Sequence, residues 1–429
     1  VVRRRALLTG SVATLATLPA TARAQWVDCG GLVPAMVAGP CVPTADLDLT
    51  FMAPGSLDQR ITFTRASTGT YFDAAGVMQT AVTNAPRWDY DAATRALKGL
   101  LIEEARTNAL LRSSDLSVAP WAVAGALGAT APVVTGNNAV APDGTTTAAR
   151  IVLPAVSAGG ISQVSQNIAT VVDSVFSIYL RGAVGGEQTH LISLGASAYT
   201  SLRVTLTTSW QRFSLFVPAR AGGIYCVVGT DLRDGTETAT PAGTIYAWGA
   251  QSEAGAFATS YIPTTSAAVT RAVDAASMLT TGWINPLAGT LLVESSSPES
   301  PAVGANREFV GIGTDSSNII RLAMTNTVGY LSSNVFTANV SRGGASDNRV
   351  WPAGVFFKCA ITYNTTGLAL SLTSGGTAPG TAVATALPAS FTTLWIGGSG
   401  RGGTASAPYR RVAYWNRVLP NAELQSLTS

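Results

Sequence analysis

Hydrophobic and polar residues alternate with period two through much of the chain. In residues 175–181, Phe176, Ile178 and Leu180 fall on one side, and Ser177, Tyr179 and Arg181 on the other. Residues 201–207 repeat the pattern with Leu202, Val204 and Leu206, and residues 211–217 with Phe213, Leu215 and Val217. Such alternation describes strands with one face buried and one face wet, the habit of antiparallel sandwiches. Between the runs stand Gly, Pro, Asn and Asp-Gly, the residues of turns. From Gly289 a second block of strand-like runs continues to Trp415, and strands every 10–20 residues suit one further sandwich or jelly roll. Long helical periodicity is absent, and residues 420–427 form the best helix. The expected fold is all-β: tandem antiparallel β-sandwiches (jelly rolls) with few short helices.

Residues 263–278 lack alternation and read as a connection between two domains. The expected organisation is a leader over 1–24, an N-terminal segment over 25–112, a first jelly roll over 113–270 and a second sandwich over 280–429.

Composition supports this and narrows the chemistry. The chain has 429 residues, 47% of them hydrophobic and only 12% charged, so a core is affordable and the polar surface is made of Thr, Ser, Asn and Gly. Of 27 basic residues only Lys98 and Lys358 are lysines, and the net charge of +3 comes with no basic tract, which gives no general argument for nucleic acid. A single histidine, His190, and four cysteines exclude most zinc sites. Cys226 and Cys359 lie in apolar runs and read as core residues.

The first residues read as an export signal: Arg3, Arg4 and Arg5, an apolar stretch over 6–18, and an Ala-x-Ala exit ending at Ala24. Paired arginines before a weakly apolar segment resemble a twin-arginine signal, while a basic arm docking on another subunit is the alternative. The apolar stretch is too short to span a bilayer at about 1.5 Å per residue, and no other segment is a span candidate. Cys29 and Cys41 flank a turn-rich loop that closes as a disulfide after export or stays as two thiols.

Residues 61–73 (ITFTRASTGTYFD), 86–91 (PRWDYD) and 99–108 (GLLIEEARTN) together resemble a segment common in tailed-phage and prophage tail or adhesin proteins. Residues 248–255 with 260–263 are similar to the closing strand of a carbohydrate-binding-like jelly roll, and residues 142–145 resemble its opening turn. Residues 409–424 resemble the end of a concanavalin A-like, laminin-G-like lectin domain. The resemblance implies an adhesin or receptor-binding component that attaches to cell-surface glycan and is either exported or borne on a particle. Its expected partners are other particle or tail subunits and copies of itself.

Catalytic sets are hard to assemble. His190 is the only residue for a Ser-His-Asp arrangement, has no Gly-x-Ser-x-Gly elbow beside it, and reads as a structural histidine. Glycosidases use two carboxyl groups flanking the sugar bond. The nearest candidate pair, Glu294 and Glu299, lacks a middle acid and is interrupted by Pro298. Asp89, Asp91, Glu103 and Glu104 read as turn and salt-bridge residues. The acidic turn 231–237 offers calcium weak support against an ordinary Asp-Gly turn, as does Asp143, and no other cofactor is expected. The glycine-rich run 398–403 leads into another strand and reads as a hairpin loop. Arg401, Arg410, Arg411 and Arg417 form a basic patch at most.

Binding remains. Sugars are held by aromatic rings against pyranose C–H faces, with amides and guanidinium groups on the hydroxyls. On the first sandwich Tyr179 and Arg181 share the wet face, while Tyr246 and Trp248 share a face of residues 244–251, which end at Gln251. The alternative is that Trp248, like Trp210, fills the core. On the second, Trp351 sits in a loop beside Asn348 and Arg349, whereas Trp395 and Trp415 read as core. The expected carbohydrate-binding set is Tyr179, Arg181, Tyr246, Trp248, Gln251 and Trp351, on a non-catalytic protein. The rivals are a polysaccharide-cleaving enzyme and a purely structural decoration protein.

Overall fold

The computed structural model describes residues 27–28, 41–42, 44–169, 172–195, 199–220, 222–233, 235, 237–296, 306–325, 329–366 and 369–429. The leader over 1–24 and Cys29 lie outside them. The chain divides into two units. In the first, Val1–Thr44, strands Val27–Asp28 and Cys41–Val42 pair in parallel. The second unit is Ala45–Ser429. It is all-β, with one helix, Asn421–Thr428, among the described residues. Leu424 and Leu427 bury that helix, one residue along from its expected place.

Two five-stranded sheets make one sandwich. The first runs Ala122–Ala126, Ile161–Ile168, Ile224–Asp231, Gln188–Leu194, Tyr199–Thr205. The second runs Val133–Ala139, Ala148–Leu153, Gly243–Ala254, Ser174–Gly182, Gln211–Val217. The alternating positions do as the pattern requires: Phe176, Ile178 and Leu180 meet Leu191, Cys226 and Val228 in a common core. Leu202 is the exception, lying exposed on an edge strand while Val204 and Leu206 are buried.

The opposite face of Ser174–Gly182 departs from expectation. Ser177 and Tyr179 are buried, because the hairpin of strands Gly69–Phe72 and Met78–Ala81 and residues 258–261 cover that side of the sheet. Only Arg181, one step further along, stays half-exposed.

A larger sandwich has two eight-stranded sheets. In one, Val340–Val350, Tyr330–Thr337, Asn318–Met324, Arg307–Asp315, Thr393–Ile396, Ala275–Leu279 and Thr62–Thr64 follow in order. In the other, Gly380–Val383, Ala369–Ser374, Phe356–Asn364, Ala288–Ser296 and Ala407–Trp415 are continued by Leu97–Ile102 and Arg87–Tyr90. Leu47–Thr50 also pairs with Ala407–Trp415. Strands from residues 45–102 therefore complete sheets built mainly by residues 275–415. Leu47, Leu49, Leu100 and Ile102 join Phe309, Phe357 and Tyr409 in one core.

The chain thus begins the larger sandwich, leaves to build the smaller one, and returns. Its exit and return strands, Arg106–Asn108 and Val269–Arg271, pair antiparallel side by side. The stretch 263–278 is more than a connection. It contributes two strands, and its lack of alternation follows from the burial of Arg271 and Asp274 beside Ala276 and Met278.

Gly99 shows how tightly the N-terminal strands are seated. Its φ is +125°, and a Cβ there would lie 2.0 Å from the Tyr409 carbonyl oxygen. Gly99→Ala is expected to destabilise the protein by about 1–3 kcal/mol through backbone strain and overpacking, measured by urea unfolding. An unchanged midpoint would contradict this seating.

Candidate functional site

Where the chain leaves and re-enters the larger sandwich, five charged side chains are almost wholly buried. Asp274 accepts from Arg65 Nη1 at 3.0 Å, from the Glu103 backbone N–H at 2.9 Å, and from Arg87 Nη2. Glu103 lies 2.8 Å from Arg87 and 3.0 Å from Arg271. It also accepts from the Ser260 backbone N–H at 2.7 Å and the Ser260 hydroxyl at 2.6 Å. Burial pushes the Glu103 carboxyl up, but Arg271, Arg87 and the Ser260 bonds outweigh it and hold it at about 2. Glu104 is shared by Arg106 and Arg307. Arg65, Arg87, Glu103, Glu104 and Arg106 thus form a joint with Arg271, Asp274 and Arg307. Asp91 caps its own turn through Thr94, and Asp89 pairs with Lys98 at 2.9 Å.

Above this joint opens a groove of about 700 Å³. Its walls include the half-exposed rings of Tyr71, Trp210 and Phe356 and the side chains of Asp89, Lys98, Arg212 and Arg410. Arg410 lies over Phe356 with its guanidinium carbon 3.5 Å from the ring centroid and reaches Glu294 at 3.5 Å. Arg212 covers Tyr179 at 5.4 Å and bonds the Thr259 carbonyl and Ser177 hydroxyl, with no carboxylate partner among the described residues.

Trp210, on the rim, starts a row across the outer face of the smaller sandwich. Strand register sets Arg181 opposite Tyr246, Tyr246 opposite Arg150, and Arg150 opposite Thr135. Directly opposed residues project to the same face, so these side chains stand in line. The Arg181 guanidinium lies 4.1 Å from the Tyr246 ring centroid and 5.2 Å from that of Trp210, cation–π geometry on both sides. Trp210 is pinned by its indole N–H, which donates to the Val140 carbonyl at 3.1 Å. All four large side chains of the row are half-exposed.

Of the expected binding residues, Arg181 and Tyr246 meet in this row. The other four are buried. Tyr179 is 6% exposed and Trp248 2%, packed with Tyr261 and Phe72 beneath the 69–81 hairpin. Gln251 is fully buried, bonding Glu253 and the Ile262 backbone N–H. Trp351 is 5% exposed; it folds back on Phe357 at 5.4 Å, and its indole N–H donates to Asp347 at 2.7 Å. Such burial leaves these rings no free face for a sugar. Trp210 moves the other way, from expected core to half-exposed rim, and Arg150 joins it. Both were signalled by alternation, which sets Trp210 and Arg212 opposite Phe213 and Leu215, and Arg150 opposite Ile151. Trp415 is core, whereas Trp395 is half-exposed.

Two of the carboxyl groups lining the groove are held away from acid catalysis. A glycosidase acid needs a carboxyl raised toward neutrality. Of those lining the groove, Glu103 is held at about 2, and hydrogen bonds within its turn, chiefly from Thr94, hold Asp91 below its usual range. His190 is buried, lies 3.5 Å from Glu237, and bonds no serine among the described residues. Cys226 and Cys359 are buried thiols, the first pushed up to about 12 by burial. Glu294 is paired with Arg410, and Glu299 lies outside the described residues. No group of three His, Cys, Asp or Glu residues among the described residues could hold a metal. Asp231 is engaged by Arg233 at 2.6 Å and Asp143 by Thr145, while Asp234 is outside the described residues. Arg401 covers Phe336 from the 398–403 loop, which joins strands Thr393–Ile396 and Gly403–Thr404.

No protein-family profile and no curated protein sequence matches the chain. Among solved structures, the Ruminococcus gnavus IT-sialidase CBM40 is similar at 16% identity and TM-score 0.28, over 34% of this chain and 84% of that one. The native heptameric SAP-like pentraxin from Limulus polyphemus is similar at 13% identity and TM-score 0.27, over 33% and 70%. Domains LG4-5 of the mouse laminin alpha1 chain are similar at 12% identity and TM-score 0.25, over 63% and 89%. Likenesses this distant do not carry a function to this chain.

Proposed function

We propose that this protein is a non-catalytic glycan-binding protein, with the Trp210–Arg181–Tyr246 row and the adjoining groove as its binding surface. The observation that carries the reading is the half-exposed stack itself: two rings fixed by a guanidinium, open to solvent, at the rim of a 700 Å³ groove with polar walls. Stiff aromatic faces beside amide and guanidinium donors are what sugar rings need. The groove acids, held in salt bridges and turns, favour binding over cleavage.

The joint supports a domain reading in which residues 45–108 and 269–429 form one sandwich with the smaller one inserted. The finer role is attachment to cell-surface polysaccharide as a receptor-binding component of a phage, prophage or phage-like particle, outside the cytoplasm. It is supported by the resemblance of residues 61–108, whose arginines and acids build the joint. A shallow row gives weak single sites, and copies of the chain on one particle raise the avidity.

Trp210→Ala and Tyr246→Ala are each expected to weaken polysaccharide binding roughly tenfold, because each removes a stacking face. Both rings also pack against the Tyr179, Trp248 and Tyr261 cluster, so unfolding midpoints measured alongside separate a lost contact from lost folding. A polysaccharide array probed with intact protein tests this. Undiminished binding by both variants would remove the row from the site, and release of reducing ends or unsaturated products would replace binding with catalysis.

A further inference from the structure

We infer that the row selects acidic saccharides, those bearing carboxylate or sulfate; this rests on the glycan-binding reading and adds the charge class. Arg150 and Arg181 stand two positions apart across the sheet with Tyr246 between them, and neither forms an ion pair among the described residues. Arg212, in the adjoining groove, likewise lacks a carboxylate partner. The neighbouring acids are committed elsewhere. Glu187 accepts from the Val184 and Gly185 backbone N–H groups, Asp143 from Thr145, and Asp89 from Lys98. Asp91 is held in its turn by Thr94.

Three guanidinium groups along this surface therefore have no ion-pair partner among the described residues, in a chain with only 12% charged residues. A neutral sugar needs no such excess. Guanidinium forks suit carboxylate and sulfate oxygens, and stacking on Tyr246 and Trp210 fixes the Arg181 plane before binding. An acidic sugar would lie across the solvent-facing edge of the row, its anionic group on the fork of Arg150 or of Arg181.

The test measures binding of intact protein to polygalacturonate, dextran sulfate and neutral dextran at low and physiological salt. Both acidic polymers should bind at least about tenfold tighter than dextran, with the preference reduced by salt. Binding of only one would still support the inference and assign carboxylate or sulfate. Arg150→Gln and Arg181→Gln should each reduce acidic-polymer binding about tenfold, the loss of one charge-assisted contact. Arg60→Gln, which removes an equal charge from the exposed Asp58 pair, should leave it within about twofold. Equal binding of acidic and neutral polymers, or equal losses in all three variants, would overturn the charge class while the glycan reading stands. No binding to these or to any arrayed polysaccharide would overturn both.

Discussion

Asp274→Ala is expected to lower the free energy of unfolding by about 3–5 kcal/mol, the cost of stranding buried charge by removing its partner. Asp274 is the hub of the joint: Arg65 and Arg87 both donate to it, and both guanidinium groups are almost wholly shielded from water. The Glu103 backbone N–H would also lose its acceptor. Such a loss is a large share of the roughly 5–15 kcal/mol that holds a typical domain together. Asp58→Ala is the matched comparison, because its pair with Arg60 is exposed and should cost under about 1 kcal/mol. Asp274→Asn should recover part of the loss, since its amide oxygen can still accept the Glu103 N–H. Guanidinium chloride unfolding followed by tryptophan fluorescence measures all three. A loss from Asp274→Ala no larger than that from Asp58→Ala would mean that water reaches the joint.

The same residues show what a sequence of this kind discloses. Strand positions in the smaller sandwich are local facts, and alternation at Phe176, Ile178 and Leu180 was enough to find them. What covers the other face is not local. Tyr179 is buried by a hairpin about a hundred residues earlier in the chain, so its polar-side position said nothing about solvent. Arg181 escaped that cover by one step, which is why it and Tyr246 were legible as surface residues while Trp248 and Gln251 were not. Trp351 read as a loop residue and was one, yet its ring turned inward because Asp347 supplied an acceptor for the indole N–H. Trp210 was missed although the alternation of the strand it precedes, Gln211–Val217, signalled it. The insertion was hidden most completely: Leu47–Thr50 pairs with Ala407–Trp415 across nearly the whole chain, and no local pattern encodes that choice. Residues 61–108 were recognisable as a block, but only their ion pairs showed why arginine and acid recur there.

Acid should unfold the protein through the same joint. The Glu103 carboxyl is held at about 2 in the folded protein against the usual 4.5. A group whose folded value is depressed binds its proton more tightly in the unfolded chain. Its contribution, about 3 kcal/mol, is therefore complete above pH 4.5 and is lost as pH falls toward 2. Glu308 runs the other way: burial raises its carboxyl, so its protonation in acid favours the folded state and partly offsets the loss. A wild-type acid titration alone would mix the two. Glu103→Gln separates them, because it keeps the side-chain volume and an acceptor for Ser260 while removing the charge that answers Arg87 and Arg271. The variant should be less stable than the wild type at pH 7, and the gap should close between pH 4.5 and pH 2 as the wild-type carboxyl becomes neutral. Urea unfolding across that range reads the gap directly. A gap that stays constant with pH would mean that the Glu103 charge does not hold the joint, and that the substitution acts through packing alone.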